Sequence, residues 1–108
     1  QMFFDNRKFC RFRDECRKIG ITVPIIAGIK PISALSDIKL IPQAFHIDLP
    51  NDLVTAVQKC KTDSEAREIG IEWAIMQSRE LISEGVPGIQ YYTLGRSDNI
   101  ARIVKASF

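Results

Sequence analysis

Apolar positions along the chain recur with two periods, about two and about 3.6 residues, and the switches between them divide it into strands and helices. Residues 1–4 are short and apolar, and Asp5 and Asn6 follow as turn and helix-cap residues, so a strand is predicted to enter a helix. Over residues 7–19, Phe9, Phe12, Cys16 and Ile19 recur at three- and four-residue spacing, which predicts one stripe packed into the core, and Gly20 is the expected stop. Residues 21–29, ITVPIIAGI, are apolar on both faces, as in a parallel strand covered by helices. Pro24 belongs at that strand's start or at an unpaired position, and Gly28 allows the backbone to turn or a ligand to come close.

Ser33 can cap a helix that runs to Ile41 and is ended by Pro42. Residues 43–50 connect to a further helical pattern opened by Pro50 or Asn51. Thr62 and Glu65 form a capping-box signature before the longest helix, which runs to Ser83 or Glu84 with Ala66, Ile69, Trp73, Met76 and Ile82 on its buried side. Gly85 stops it. Residues 89–98, IQYYTLGRSD, then alternate in β-branched and aromatic residues until Gly95, and Ser97 is placed to cap a helix to the chain end.

The predicted order is β-α-β-α-α-α-β-α, an α/β chain with three parallel strands and right-handed crossovers. Three strands make a thin sheet whose edges and one face stay open unless something covers them. With 108 residues the chain is one domain at most. A hydrophobic share of 45% and a charged share of 26% exclude a disordered chain. The net charge of +2 gives no argument for nucleic acid or an anionic membrane surface. Apolar runs fall short of the ~20 residues of a membrane span. The start lacks both a signal-peptide pattern and an initiator methionine, which is the mark of a processed or excised piece. Cys10, Cys16 and Cys60 form no CxxC pair and read as reduced, mostly buried residues of a cytoplasmic protein. His46 beside Asp48 is a structural or surface pair, because zinc needs three or four convergent ligands.

Phosphate-loop, nucleophile-elbow and zinc-helix motifs do not occur, and the acids are scattered over helix surfaces without a carboxylate pair for acid-base work. Ligand contact is then expected at strand ends: Gln1, Lys30, Tyr92, Thr93 and Arg96. Glutamine offers a donor and an acceptor to a planar heterocycle, and arginine suits a carboxylate. On the pattern alone, the same stretch also reads as an ordinary strand-helix corner with a solvated arginine.

Three stretches, QMFFD, PIIAGIKPIS and YYTLGRSD, resemble in order and spacing the last part of the catalytic domain of the methylenetetrahydrofolate reductase family. The resemblance covers essentially the whole chain, and the combination is specific although each piece alone is not. It implies that residues 1–108 are a single partial domain, the carboxyl-terminal arc of a (β/α)8 barrel with about strands six to eight and their helices. A full barrel needs on the order of 250 residues.

The resemblance further implies a flavoprotein oxidoreductase that reduces 5,10-methylenetetrahydrofolate to 5-methyltetrahydrofolate with NAD(P)H through FAD. Gln1 matches the glutamine that contacts the pterin. Tyr92, Leu94 and Arg96 match the last-strand motif on the folate side, with Arg96 a partner for the substrate's glutamate tail, and Asp37 falls near another folate-contacting position. Two departures are Ala27 for the usual proline and Gly95 for the usual asparagine. The family's FAD-binding residues and proton-transfer acids lie on earlier strands, so the isolated chain is expected neither to bind FAD tightly nor to turn over, and to bury its open edges by self-association. The alternative is a free-standing small α/β binding or interaction module without catalysis.

Overall fold

The computed structural model describes residues 1–93 and 97–108. Among them run α1 (Asn6–Lys18), β1 (Ala27–Ile29), α2 (Asp37–Phe45), α3 (Asn51–Gln58), α4 (Asp63–Ser83), β2 (Ile89–Tyr91) and α5 (Asp98–Ser107). The α/β class and the helix order follow the sequence pattern, but the sheet is smaller. β1 and β2 pair in parallel, Ala27 with Ile89, Gly28 with Gln90 and Ile29 with Tyr91. The expected first strand is reduced to one parallel bridge between Met2 and Gly28.

Side chains from α4 explain that reduction. Trp73 Nε1 donates to the Phe4 carbonyl at 3.0 Å and Gln77 Nε2 to the Phe3 carbonyl at 3.2 Å. These backbone acceptors are satisfied by a helix, so the segment is held without a ladder. The expected strand over residues 21–29 is likewise confined to its last three residues. Arg17 Nη1 donates to the carbonyls of Ile21 and Val23, at 2.8 and 3.1 Å, and Val23 and Ile26 stand exposed. An arginine replaces a neighbouring strand there, and Pro24 has no N–H to offer one.

Two apolar clusters lie against α4. Phe9, Ala27, Ile29, Ile71, Ala74, Leu81 and Ile103 join the sheet to α1, α4 and α5. Phe4, Ile32, Ile41, Leu53, Val57 and Ala66 join α2 and α3 to the first turns of α4. Burying each of the Phe, Ile, Leu and Val side chains among them is worth about 1.5–3 kcal/mol. The stripe on α1 is narrower than expected: Phe9 and Cys16 are buried, whereas Phe12 and Ile19 are 59% and 75% exposed. On α4, Ala66 is buried and Ile69 and Trp73 half-buried, but Met76 and Ile82 are exposed. The buried side instead includes Gly70, Ala74, Gln77 and Ser78, small or hydrogen-bonded residues that let neighbouring backbone approach.

Helix boundaries follow local chemistry. The Asp5 side chain accepts from Arg7 N at 3.0 Å to cap α1, and Thr62 Oγ1 accepts from Glu65 N at 3.2 Å to cap α4. Glu65 reaches back to Lys61 N rather than to Thr62. Pro42 does not end the second helix but sits inside it, and the helix closes at His46, which is in the left-handed region at φ 54°. One missing N–H is tolerated because Ile41 beside it is buried and holds the turn to the second cluster. Ser97 occupies the cap position of α5 but makes no side-chain cap bond.

Candidate functional site at the strand ends

Ligands of parallel α/β folds are met at the carboxyl ends of the strands, and β1 and β2 end side by side at Ile29 and Tyr91. Tyr92 continues the pairing by one bond, its N–H donating to the Ile29 carbonyl at 2.9 Å. Gly28 is the point of convergence. A Cβ built there would stand 3.1 Å from both the Gln1 carbonyl oxygen and Tyr92 Cε2. The missing side chain lets the first residue and the tyrosine ring close over one spot of the sheet. Gln1 and Tyr92, expected to act together, are brought together by this glycine. The Gln1 side chain is exposed and donates from Nε2 to the Phe45 carbonyl at 3.3 Å, an acceptor at the end of α2.

Asp37 is not part of that spot. It opens α2, the helix whose far end meets Gln1, about 12 Å along the axis at 1.5 Å per residue. Its Oδ2 accepts from Ser33 N, Ser33 Oγ and Ala34 N at 2.8, 3.2 and 3.1 Å, which spends the carboxylate on shaping the loop after β1. Leu94 and Arg96, the other two site residues expected from the sequence, lie outside the described residues.

Beyond Tyr92, a cavity of about 360 Å3 opens between the strand ends and the first turns of α4 and α5. Lys30, Ser33, Asp63, Arg67, Tyr92 and Asn99 contribute to its walls. Asp63 Oδ1 accepts from Leu35 N at 3.0 Å, and the Arg67 guanidinium donates to the side chains of Asn99 and Asp98. Asp63, Arg67 and Asn99 were not legible as site residues, because they sit on helices that only the fold brings to the strand ends. Their one signal is the spacing of four between Asp63 and Arg67 at a helix start, which puts both on one face.

Other candidates are quiet. Cys10, Cys16 and Cys60 are free thiols, and burial pushes the Cys10 thiol up, away from thiolate chemistry. His46 is exposed, Asp48 pairs with Lys8 at 3.1 Å, and no metal-sized group of His, Cys, Asp and Glu occurs among the described residues. None of the described helices is long and apolar enough to cross a membrane.

Comparison with known proteins covers nearly the whole chain. The family model described as methylenetetrahydrofolate reductase matches residues 1–107. A Caenorhabditis elegans protein named "Probable methylenetetrahydrofolate reductase (NADPH)" is 36% identical over 108 residues, covering 98% of this chain and 16% of that protein. The 5,10-methylenetetrahydrofolate reductase of Pectobacterium carotovorum is 33% identical over 99 residues, 91% of this chain and 33% of its own length. In Arabidopsis thaliana, methylenetetrahydrofolate reductase (NADH) 1 is 32% identical over 95 residues, 87% of this chain and 16% of its own length. The chain thus spans between a sixth and a third of the relatives it matches.

Proposed function

The chain belongs to the methylenetetrahydrofolate reductase family, and from that premise we propose that it forms the folate-side arc of an enzyme that reduces 5,10-methylenetetrahydrofolate. In this reading Met2, β1 and β2 stand for about strands six, seven and eight of a (β/α)8 barrel, and the earlier strands belong to the parent protein. The observation that carries it is the convergence of Gln1 and Tyr92 on Gly28, at the end of the sheet where such folds keep their ligands. The Gln1 amide leaves its hold on the Phe45 carbonyl to present a donor and an acceptor to the pterin edge. Tyr92 supplies a flat wall beside it, and the family motif assigns Leu94 to the folate side and Arg96 to the substrate's glutamate tail. Asp37 acts at a distance by fixing the loop at Ser33 and Ala34.

FAD, the electron carrier between NAD(P)H and the folate in this reading, does not fit the residues present here. The cavity of about 360 Å3 is at the small end of ligand sites, and a flavin dinucleotide needs a longer cleft. The flavin is therefore assigned to the parent's other strands, and no step is derived through it. By the same reasoning the isolated chain neither binds FAD tightly nor turns over. Two relatives carry NADPH and NADH in their names, and this arc holds no residue assigned to that choice. We place the parent in the cytoplasm on the strength of three free cysteines.

The visible spectrum of the parent protein tests this. A flavin band that bleaches with reduced nicotinamide and returns with 5,10-methylenetetrahydrofolate is expected, together with a raised KM for the folate in Gln1→Ala. A protein that stays colourless with added FAD overturns the reading.

A further inference from the structure

We propose that the cavity between the ends of β1 and β2 and the first turns of α4 and α5 binds an oxyanion, with Lys30 as its counter-ion. Lys30 is only 8% exposed and lines this cavity. Among the described residues its ammonium group has neither a hydrogen bond nor an ion pair. The other charges of the lining are engaged: Asp63 with the Leu35 N–H, and Arg67 with Asn99 and Asp98. The stem of Lys30 is packed away while its unpaired ammonium group is left to the solvent of the cavity, where an entering anion supplies the missing counter-charge.

The rest of the wall suits the same ligand. Asn99 and Ile100, in the first turn of α5, line the cavity, and Ser97 gives that ten-residue helix no side-chain cap. The amino end of α5 brings the positive end of a helix dipole to the cavity wall at Asn99 and Ile100, a setting that favours anions. Asn99 spends its Oδ1 on Arg67, which leaves its Nδ2 group as a further donor. Asp63 opposes an anion, but its carboxylate is stabilised by the Leu35 N–H and by the amino end of α4, so it needs no share of Lys30. The cavity exceeds what one phosphate or carboxylate fills, so the anionic group arrives on a larger molecule or with water. The shared chemistry is an oxyanion, carried either by a phosphate or by a carboxylate. This site is separate from the Gln1–Gly28 spot and does not depend on the folate reading, although Tyr92 borders both.

The test titrates the intact protein with inorganic phosphate and, separately, with glutarate at constant ionic strength, in calorimetry, for wild type and Lys30→Met. Saturable binding in the millimolar range or tighter, weakened about tenfold or more by Lys30→Met, is expected. Phosphate alone assigns a phosphorylated ligand, and glutarate alone a carboxylate. Labelling of wild-type Lys30 by an amine reagent, read by mass spectrometry, gives the same answer if the variant does not fold: the bound anion slows it. Absence of saturation with both anions, equal binding by Lys30→Met, or labelling indifferent to either anion overturns the proposal.

Discussion

Gly70, in the middle of α4, lies directly against the backbone of Ile32: a Cβ built on the glycine would stand 1.9 Å from the Ile32 carbonyl oxygen and 2.7 Å from its carbonyl carbon. Glycine inside a helix costs about 1 kcal/mol relative to alanine, so local propensity argues against it here. Close packing of the loop after β1 onto α4 argues for it and wins. Gly70→Ala should therefore destabilise the fold by roughly 2 kcal/mol or more despite the better helix former, because backbone and not a flexible side chain must move. Urea denaturation measures this, and an alanine variant as stable as wild type would show that the loop is not packed as described.

Gln77 is 1% exposed and ties the start of the chain to α4. Its Nε2 group donates to Asn6 Oδ1 at 3.0 Å and to the Phe3 carbonyl, and Asn6 Nδ2 donates back to the Gln77 backbone carbonyl at 3.1 Å. Replacing it by leucine keeps the volume but strands one buried acceptor, Asn6 Oδ1, and one half-buried acceptor, the Phe3 carbonyl. Gln77→Leu should cost about 2–4 kcal/mol, the penalty for unsatisfied buried groups, and should shift the denaturation midpoint without a change in slope.

Much of the helical layout was legible because it rests on local chemistry. The Asp5 and Thr62 caps, the long helix after Thr62 and the strand at Ile89 depend on neighbours within a few residues. What was not legible depends on partners distant in sequence. Residues 21–26 have the composition of a buried strand, yet their carbonyls go to Arg17 and their apolar side chains to the surface. Met76 and Ile82 are the bulkier choice for a buried face, but the approach of other backbone selects Gly70 and Ala74. At the candidate site, Gln1 and Tyr92 were found from the strand-end rule and the family motif. Their meeting over Gly28 is a tertiary fact, and so is the wall built from Asp63, Arg67 and Asn99.

Tyr91 makes stability sensitive to alkali. Its hydroxyl and Ser78 Oγ are 2.7 Å apart, and burial raises the phenol above its ordinary range, more than the Ser78 bond lowers it. A raised folded pKa means that the native state holds the proton longer than the unfolded chain. The contribution is complete below the unfolded value of about 10 and is lost as pH rises through the higher folded value. Tyr91→Phe should cost about 0.5–1.5 kcal/mol near neutral pH through the lost hydrogen bond. It should also flatten the alkaline limb of a stability-pH curve relative to wild type. Parallel curves for the two proteins above pH ~10 would remove Tyr91 from the account.

Self-association of the isolated chain is expected from its uncovered apolar edge. Phe12 and Ile26, 59% and 50% exposed, line a second hollow of about 340 Å3 together with Met2, Phe3 and Phe9, next to the sheet edge that, among the described residues, pairs only through Met2. Unpaired backbone beside exposed apolar side chains is the combination that edge-to-edge pairing uses. Sedimentation velocity of the 108-residue chain should show a mass that rises with concentration, and Phe12→Asp with Ile26→Asp should return it to a monomer. Because both side chains already face solvent, the double variant should keep the chain's stability within about 0.5 kcal/mol per site. A large loss of stability would instead mean that the two residues are core, and a wild-type chain that stays monomeric at all concentrations would mean that its open edge is protected in some other way.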